Sequence, residues 1–195
     1  IKSKNYFLRG LLFDTLKHDS DLTIINSKFG EKFILFTNDN VISKEMYVNK
    51  EFDLQKLERA LQFLNKKKDI KTLYDIGANV GVICIPAVKR GLVKKSFAVE
   101  PEKKNFELLN LNVTLNNLQH DISLYNYALS NKDDDIIEME LASDNYGDHR
   151  IKNLVNFNFH GEENRETTKV STKTFDTLFK DINNKTDLIW MDTQG

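Results

Sequence analysis

Residues 74–81 read YDIGANVG. Thr72, Leu73, Tyr74 and Ile76 lead into this stretch as an apolar strand, and Val82, Ile83, Ile85, Ala87 and Val88 lead out of it as an apolar helix. A glycine turn between a strand and a helix is a common way of holding a nucleotide-like ligand. Asp75 stands two residues before the first glycine, where a carboxylate would repel a phosphate and attract a cation.

Outward from the turn, strand and helix signals alternate. Residues 71–76 read as a strand, 80–90 as a helix ending at Gly91, and 95–100 as a strand. Residues 102–116 read as a helix with Phe106, Leu109 and Val113 on one face, and 122–128 as a strand. Parallel strands need crossover connections, so this alternation predicts a mostly parallel sheet with helical layers. Further on, IIEMEL and VSTKTFDTLF predict a strand and a strand running into a short helix, and TDLIWMD predicts a final buried strand. ASDNYGDHRI reads as a polar loop. A doubly wound sheet rarely stops on such a strand, so further C-terminal strands are expected beyond Gly195.

Before the turn, 22–26 and 32–37 read as a hairpin with Gly30 in its bend. Leu54, Leu57, Leu61 and Leu64 recur at helical spacing behind a candidate N-cap, Asp53. The organisation predicted is an N-terminal extension over 1–52, packed on a Rossmann-like domain over 53–195, the two forming one globular unit.

A chain of 195 residues, 40% hydrophobic and 29% charged, suits one soluble domain with a sizeable core. Net charge is −1, so no overall basic field recruits nucleic acid or an anionic membrane. Lys66–Lys68 read as a solvated helix end. The single cysteine, Cys84, lies in an apolar run, excludes an internal disulfide and fits a reducing, cytoplasmic compartment. No apolar run spans a bilayer, and the N-terminus lacks a signal-peptide core.

Three ligand classes compete for the Gly77–Gly81 turn. A dinucleotide wants Gly-x-Gly-x-x-Gly, but the second and third positions here are Asn79 and Val82. A P-loop wants Gly-Lys-Ser/Thr, which is absent. S-adenosylmethionine, with an ammonium, a sulfonium and no phosphate, fits Asp75. Glu100 ends the next strand 23 residues after Gly77, where an acidic side chain accepts from ribose hydroxyls.

YDIGANVGV, FAVEP, YALSN, VSTKTFDTLF and LIWMDTQG, in this order from about residue 41 to the last, resemble the FkbM family of S-adenosylmethionine-dependent methyltransferases. The resemblance implies a class I methyltransferase sheet of Rossmann-like α/β type and O-methylation of a hydroxyl on a small molecule or glycan. It implies a methionine-binding loop of Asp75, Gly77, Ala78, Asn79 and Gly81, a ribose carboxylate at Glu100, and Pro101, Ala128 and Leu129 around the adenine. Asp192 matches an acidic residue facing the methyl group. Where the family usually reads Lys-Ile-Asp, this chain has Trp190-Met191-Asp192.

Asp192 and His149 are the candidate bases for removing a hydroxyl proton. Asp148, His149 and Asp192 lack the spacing of a metal site, so no metal is expected. With only Pro86 and Pro101, the chain has no Asn/Asp-Pro-Pro-aromatic loop of the kind that methylates base amines, and no nucleic-acid substrate is expected. His18 and His120 read as surface residues and His160 as a loop residue without a role. Met46 and Tyr47 stand near the expected cofactor entrance, where ordinary packing is the role expected of them over covering the cofactor. Two other readings compete: a non-catalytic S-adenosylmethionine-binding module, and a nucleotide- or NAD-binding oxidoreductase.

Overall fold

In the computed structural model, which describes residues 2–64, 69–152, 165–182 and 185–193, the stretch around Asp75 ends one of four parallel strands. The chain runs α1 (Lys2–Leu16), β1 (Leu22–Asn26), β2 (Lys32–Phe36), α2 (Ile42–Asn49), α3 (Leu54–Leu64), β3 (Thr72–Ile76), α4 (Cys84–Lys89), β4 (Lys95–Val99) and α5 (Lys103–Leu115). It continues with β5 (Ile122–Tyr125), β6 (Ala128–Leu129), β7 (Ile136–Glu140), β8 (Arg150–Ile151), β9 (Thr167–Lys173), α6 (Phe175–Leu178) and β10 (Asp187–Met191). The expectations for Lys66–Lys68, for His160 and for Gly195 lie outside the described residues.

The central sheet has the order β10-β3-β4-β5, parallel throughout. β3, β4 and β5 step one way, and the chain then returns to place β10 on the far side of β3. The strand order therefore reverses between β3 and β10, and ligands of open α/β sheets bind at such a reversal, beyond the strands' carboxyl ends. Period-two alternation sorts the side chains by face. Leu73, Ala98, Leu124 and Trp190 join the large core with α3, α4, α5 and the hairpin. Tyr74, Ile76, Val99 and Phe97 face the other way, against α6. There Tyr74 stacks on Phe97 at 5.0 Å, and Phe179 sets its edge on Tyr74 at 4.9 Å and on Tyr125 at 5.2 Å.

Several expectations need correction. The helix after the glycine turn begins at Cys84, not at residue 80, because the left-handed Asn79 and the missing N–H of Pro86 delay a regular ladder. Asp53 caps nothing with its carboxylate, which pairs with Lys56 at 2.6 Å; its carbonyl accepts the Lys56 N–H instead. β10 is not buried: Ile189 is 45% and Met191 60% exposed, because β10 is the sheet's edge among the described residues. The 122–128 strand is two, with β5 in the parallel sheet and β6 in a second sheet ordered β6-β9-β7-β8, whose β7 pairs are antiparallel. No helix among the described residues is long and apolar enough to cross a membrane.

Candidate active site

The glycine turn sits at the reversal point between β3 and β10. Gly77 has φ +86°, and a Cβ there would lie 2.2 Å from the Asp192 carbonyl oxygen, so only glycine lets the end of β10 pass this close. The N–H groups of Gly77 and Ala78 both donate to Val99 O, at 2.9 and 3.0 Å. Asn79 takes the left-handed conformation, φ +50°, and its N–H donates to Glu100 Oε2 at 2.8 Å. Gly81 serves packing instead: a Cβ there would meet Ile85 Cδ1 at 2.6 Å and Leu109 Cδ1 at 2.9 Å.

A cavity of about 380 Å³ opens beyond these strand ends. It brings together Gly77, Asn79, Glu100, Pro101, Ala128, Leu129, His149 and Asp192, from segments far apart in sequence. Asp75, Ala78 and Gly81 stand behind its wall. The Asp75 carboxylate is buried and accepts the Cys84 N–H at 3.1 Å, tying the end of β3 to the start of α4. Burial pushes its pKa up to about 7, despite the hydrogen bonds from Cys84, and the charge of Asp192 adds to the rise. Glu100 is also pushed up to about 7 by burial, even though the N–H groups of Glu102 and Asn79 donate to it.

Sequence reading overlooked Asn105, which lines the cavity and is 1% exposed. Its Nδ2 donates to Tyr146 O at 3.1 Å, and Asn79 Nδ2 donates to the same oxygen at 2.9 Å. That carbonyl fixes the amide's orientation, since a flipped amide would set oxygen against oxygen. Asn105 Oδ1 is then a buried acceptor with no partner. An Asn one turn into a helix carries no periodic signal that could have revealed this. Of the stretch expected at the cofactor entrance, Met46 is a core residue and Tyr47 packs on Phe13; Val41, Ile42 and Phe52 line the cavity instead.

His149 Nδ1 accepts the Ala142 N–H at 3.0 Å, so the neutral ring carries its proton on Nε2. Burial pushes its pKa down. A ring so held donates into its surroundings and has no free nitrogen lone pair with which to take a proton. Asp192 is exposed, and its N–H continues the strand ladder to Ile76 O at 3.0 Å. Asp148 is engaged by Arg165 at 2.6 Å. The titratable acids and bases on the described wall are Glu100, Asp192 and His149, with Tyr127 and Tyr146; no Lys or Arg lines it.

The profile of the Methyltransferase FkbM domain matches residues 75–195, well over half of the chain. The chain belongs to the FkbM methyltransferase family. S-adenosylmethionine is the cofactor that goes with this membership. No curated protein matches this FkbM chain. Solved structures similar to it include a transferase of Pyrococcus horikoshii, with 24% identity over 56% of this chain and 37% of that one and a TM-score of 0.37. The tRNA m1G37 methyltransferase of M. jannaschii has 21% identity over 59% and 36%, with a TM-score of 0.39. TYW2 of M. jannaschii in complex with AdoMet has 19% identity over 55% and 44%, with a TM-score of 0.39. The chain spans 37% or less of the length of the first three solved structures it matches. The FkbM family's usual lysine position is Trp190 here, which packs against the main core beside β3, in register with Asp75.

Proposed function

We propose that this FkbM chain transfers a methyl group from S-adenosylmethionine to a hydroxyl oxygen of a small molecule or glycan. The observation that carries the reading is the cavity's charge: among the described residues its wall holds Glu100 and Asp192 and no Lys or Arg. A diphosphate would meet two carboxylates there and no counter-charge, whereas a ligand with an ammonium and a sulfonium meets charges of the opposite sign. The size lies within the range of small-molecule sites, and the orphaned Asn105 Oδ1 supplies an acceptor for a ligand N–H or O–H.

In this reading the Gly77–Asn79 turn holds the amino-acid end. Asp75 acts from behind by fixing the turn, with Ala78 and Gly81 packing it. Glu100 retains lone pairs beyond its two N–H contacts and accepts from the ribose, while Pro101, Ala128 and Leu129 border the adenine. When bound, S-adenosylmethionine supplies an already activated methyl group, so the chain's work is alignment and proton removal. The exposed carboxylate of Asp192 takes the hydroxyl proton. His149 contributes an Nε2–H donor, because its other nitrogen is engaged by Ala142. A net charge of −1 and the acid-lined wall support a neutral acceptor over a nucleic acid.

Calorimetric titration with S-adenosylmethionine, S-adenosylhomocysteine and NAD tests this. The expected result is micromolar binding of the first two, weak binding of NAD, and a loss of affinity in Asn105→Ala. Preferential binding of NAD, or no donor binding by the folded protein, would overturn the reading.

A further inference from the structure

Tyr146 stands where three parts of the molecule meet: the glycine turn after β3, the first turn of α5 and the end of the N-terminal hairpin. Its carbonyl accepts two side-chain amides, Asn79 Nδ2 at 2.9 Å and Asn105 Nδ2 at 3.1 Å. Both of those residues line the cofactor cavity. Asn79 needs the hold, because a left-handed backbone at a residue other than glycine persists only where its surroundings fix it. Its N–H goes to Glu100 and its Oδ1 takes the Val80 N–H at 2.9 Å; the Tyr146 carbonyl holds the rest of its amide. For Asn105 the same carbonyl decides which end of the amide faces which way. Glu100 feels that choice: burial raises it most, and the Asn105 side chain is among the hydrogen-bonding groups that act against the rise.

The residue that supplies this carbonyl is itself held from the N-terminal segment. The Tyr146 ring packs on the ring of Phe36, at the end of β2, with centroids 4.7 Å apart, and its hydroxyl accepts from Asn38 Nδ2 at 2.8 Å. Two residues earlier, the Asp144 carbonyl accepts the Asn40 N–H at 2.8 Å. One residue later, Gly147 passes so close to α2 that a Cβ there would lie 2.8 Å from Ile42 Cδ1. Residues 36–42 therefore seat residues 144–147, and the Tyr146 side chain, two bonds from its own carbonyl carbon, sets where that carbonyl stands. Before Val41, no residue of the N-terminal segment lines the cavity among the described residues.

We propose that Tyr146 is a positioning residue for the methyl donor: its ring, seated on Phe36, places the carbonyl that holds the amides of Asn79 and Asn105 in their donor-binding orientation. The inference rests on the methyl-transfer reading above. It makes the N-terminal segment a support of the donor site, acting through Tyr146. Amides already oriented before the donor arrives spare binding the cost of ordering them, so loosening the ring weakens the donor without removing any group the donor touches at the turn.

Tyr146→Phe, Tyr146→Leu and Tyr146→Ala test this in the whole chain, each checked for folding by urea denaturation. Two readouts are taken: titration with S-adenosylhomocysteine, and the side-chain amide NMR signals of Asn79 and Asn105 in the free protein. Phe keeps the ring and loses one exposed hydrogen bond, so affinity should stay within about twofold and the amide signals should not move. Ala removes the seat; affinity should fall about tenfold and both amide signals should shift. Leu keeps apolar bulk against Phe36, should fall between the two, and gives the same comparison if Ala unfolds the chain. A merely structural role would lower the urea midpoint and leave the amides in place. An affinity loss with both amide signals unmoved would therefore overturn the inference, and so would an Ala variant that binds as tightly as the parent. A Phe variant as weak as Ala would overturn the ring's part in it. Failure of S-adenosylhomocysteine to bind the parent chain is read in the same titration; it brings down the methyl-transfer reading, and this inference with it.

Discussion

Asp75 and Glu100 are buried acids whose folded pKa values, about 7, lie above their ordinary values of 3.8 and 4.5. Between those limits the unfolded chain has released protons that the folded chain retains. Their contribution to stability is therefore full below the ordinary values, falls as pH rises toward 7, and is flat above it. Each group accounts for on the order of a few kcal/mol across that window. Glu31 does not mask the effect. Burial would raise it, but hydrogen bonds from Arg90 and Ser27 hold it below its ordinary value, so it acts at lower pH. Urea midpoints measured from about pH 4.5 to about pH 8 should fall and then level, with His149, whose pKa burial pushes down from 6.5, offsetting part of the fall at the acid side. Asp75→Asn, which keeps an oxygen for the Cys84 N–H, should roughly halve the fall; an unchanged slope would show that Asp75 is ionised in the fold. At His149, replacement by Asn keeps an acceptor for the Ala142 N–H and removes the Nε2–H. Melting should shift little while methyl transfer drops, with the acid limb of the pH–rate profile unmoved. Loss of that limb would make the ring the base after all. The presence of a carboxylate before the glycines was legible in the sequence. Its side of the wall was not, because one residue of strand phase decides whether it faces the cavity or the core.

Two glycines four residues apart in one turn do different work, and their alanine variants should separate it. Ala at 77 combines a left-handed φ with a Cβ 2.2 Å from a backbone oxygen of β10, which cannot yield without moving the strand. Gly77→Ala should cost about 3 kcal/mol or more and abolish donor binding. Ala at 81 meets the ends of Ile85 and Leu109, which can turn aside. Gly81→Ala should cost roughly 1–2 kcal/mol of strain and leave donor affinity nearly intact. Denaturation and calorimetry on the two variants check the ranking, and equal loss of affinity in both would refute it. At this scale the βαβ order, the hairpin and α3 were readable, because their apolar residues keep a period of two or of 3.6. α1 was not. Tyr6, Phe7, Leu8, Leu11 and Leu12 are all exposed while Phe13 is buried, so the apolar residues draw no single stripe. The pairing in the second sheet was equally hidden, since β6 and β8 are two residues long and depend on β9 and β7 for their existence.

The N-terminal hairpin is held to the parallel-sheet domain by two devices, and together they argue that the molecule unfolds as one. The first is a match of spacing. Asn112 on α5 and Asn116 at its C-cap lie one helical turn apart, a rise of about 6 Å, while Ile34 and Lys32 lie two residues apart on β2, about 6.6 Å. Each amide therefore both accepts the N–H and donates to the carbonyl of its strand residue: 2.6 and 3.1 Å at Ile34, 3.0 and 2.7 Å at Lys32. The outer edge of β2 is closed by side chains and gives no template to a foreign strand. The second device is Arg90, at the end of α4. It donates to Glu31 at 2.7 Å and Glu51 at 2.9 Å and lies 4.0 Å over the Phe29 ring. Glu31 is 1% exposed, so removing its partner strands a buried charge. Arg90→Ala should therefore cost about 3–5 kcal/mol. An extension over residues 1–52 merely added to a self-sufficient domain over 53–195 would melt in two steps, whereas the one globular unit that the sequence suggests would not. A shared core running from Phe33 and Leu35 through Leu57 to Leu109 predicts one. Trp190, the chain's one tryptophan, sits on β10, on the opposite side of the sheet order from β5 and outside the hairpin, so its fluorescence reports the parallel sheet while far-UV dichroism reports the whole. The two signals should trace one coincident transition in the parent, and Arg90→Ala should move both to lower denaturant by the same amount. A variant in which dichroism changes early while Trp190 holds would mean that the hairpin and α2 detach on their own, and with them the Val41 and Phe52 side of the cavity wall.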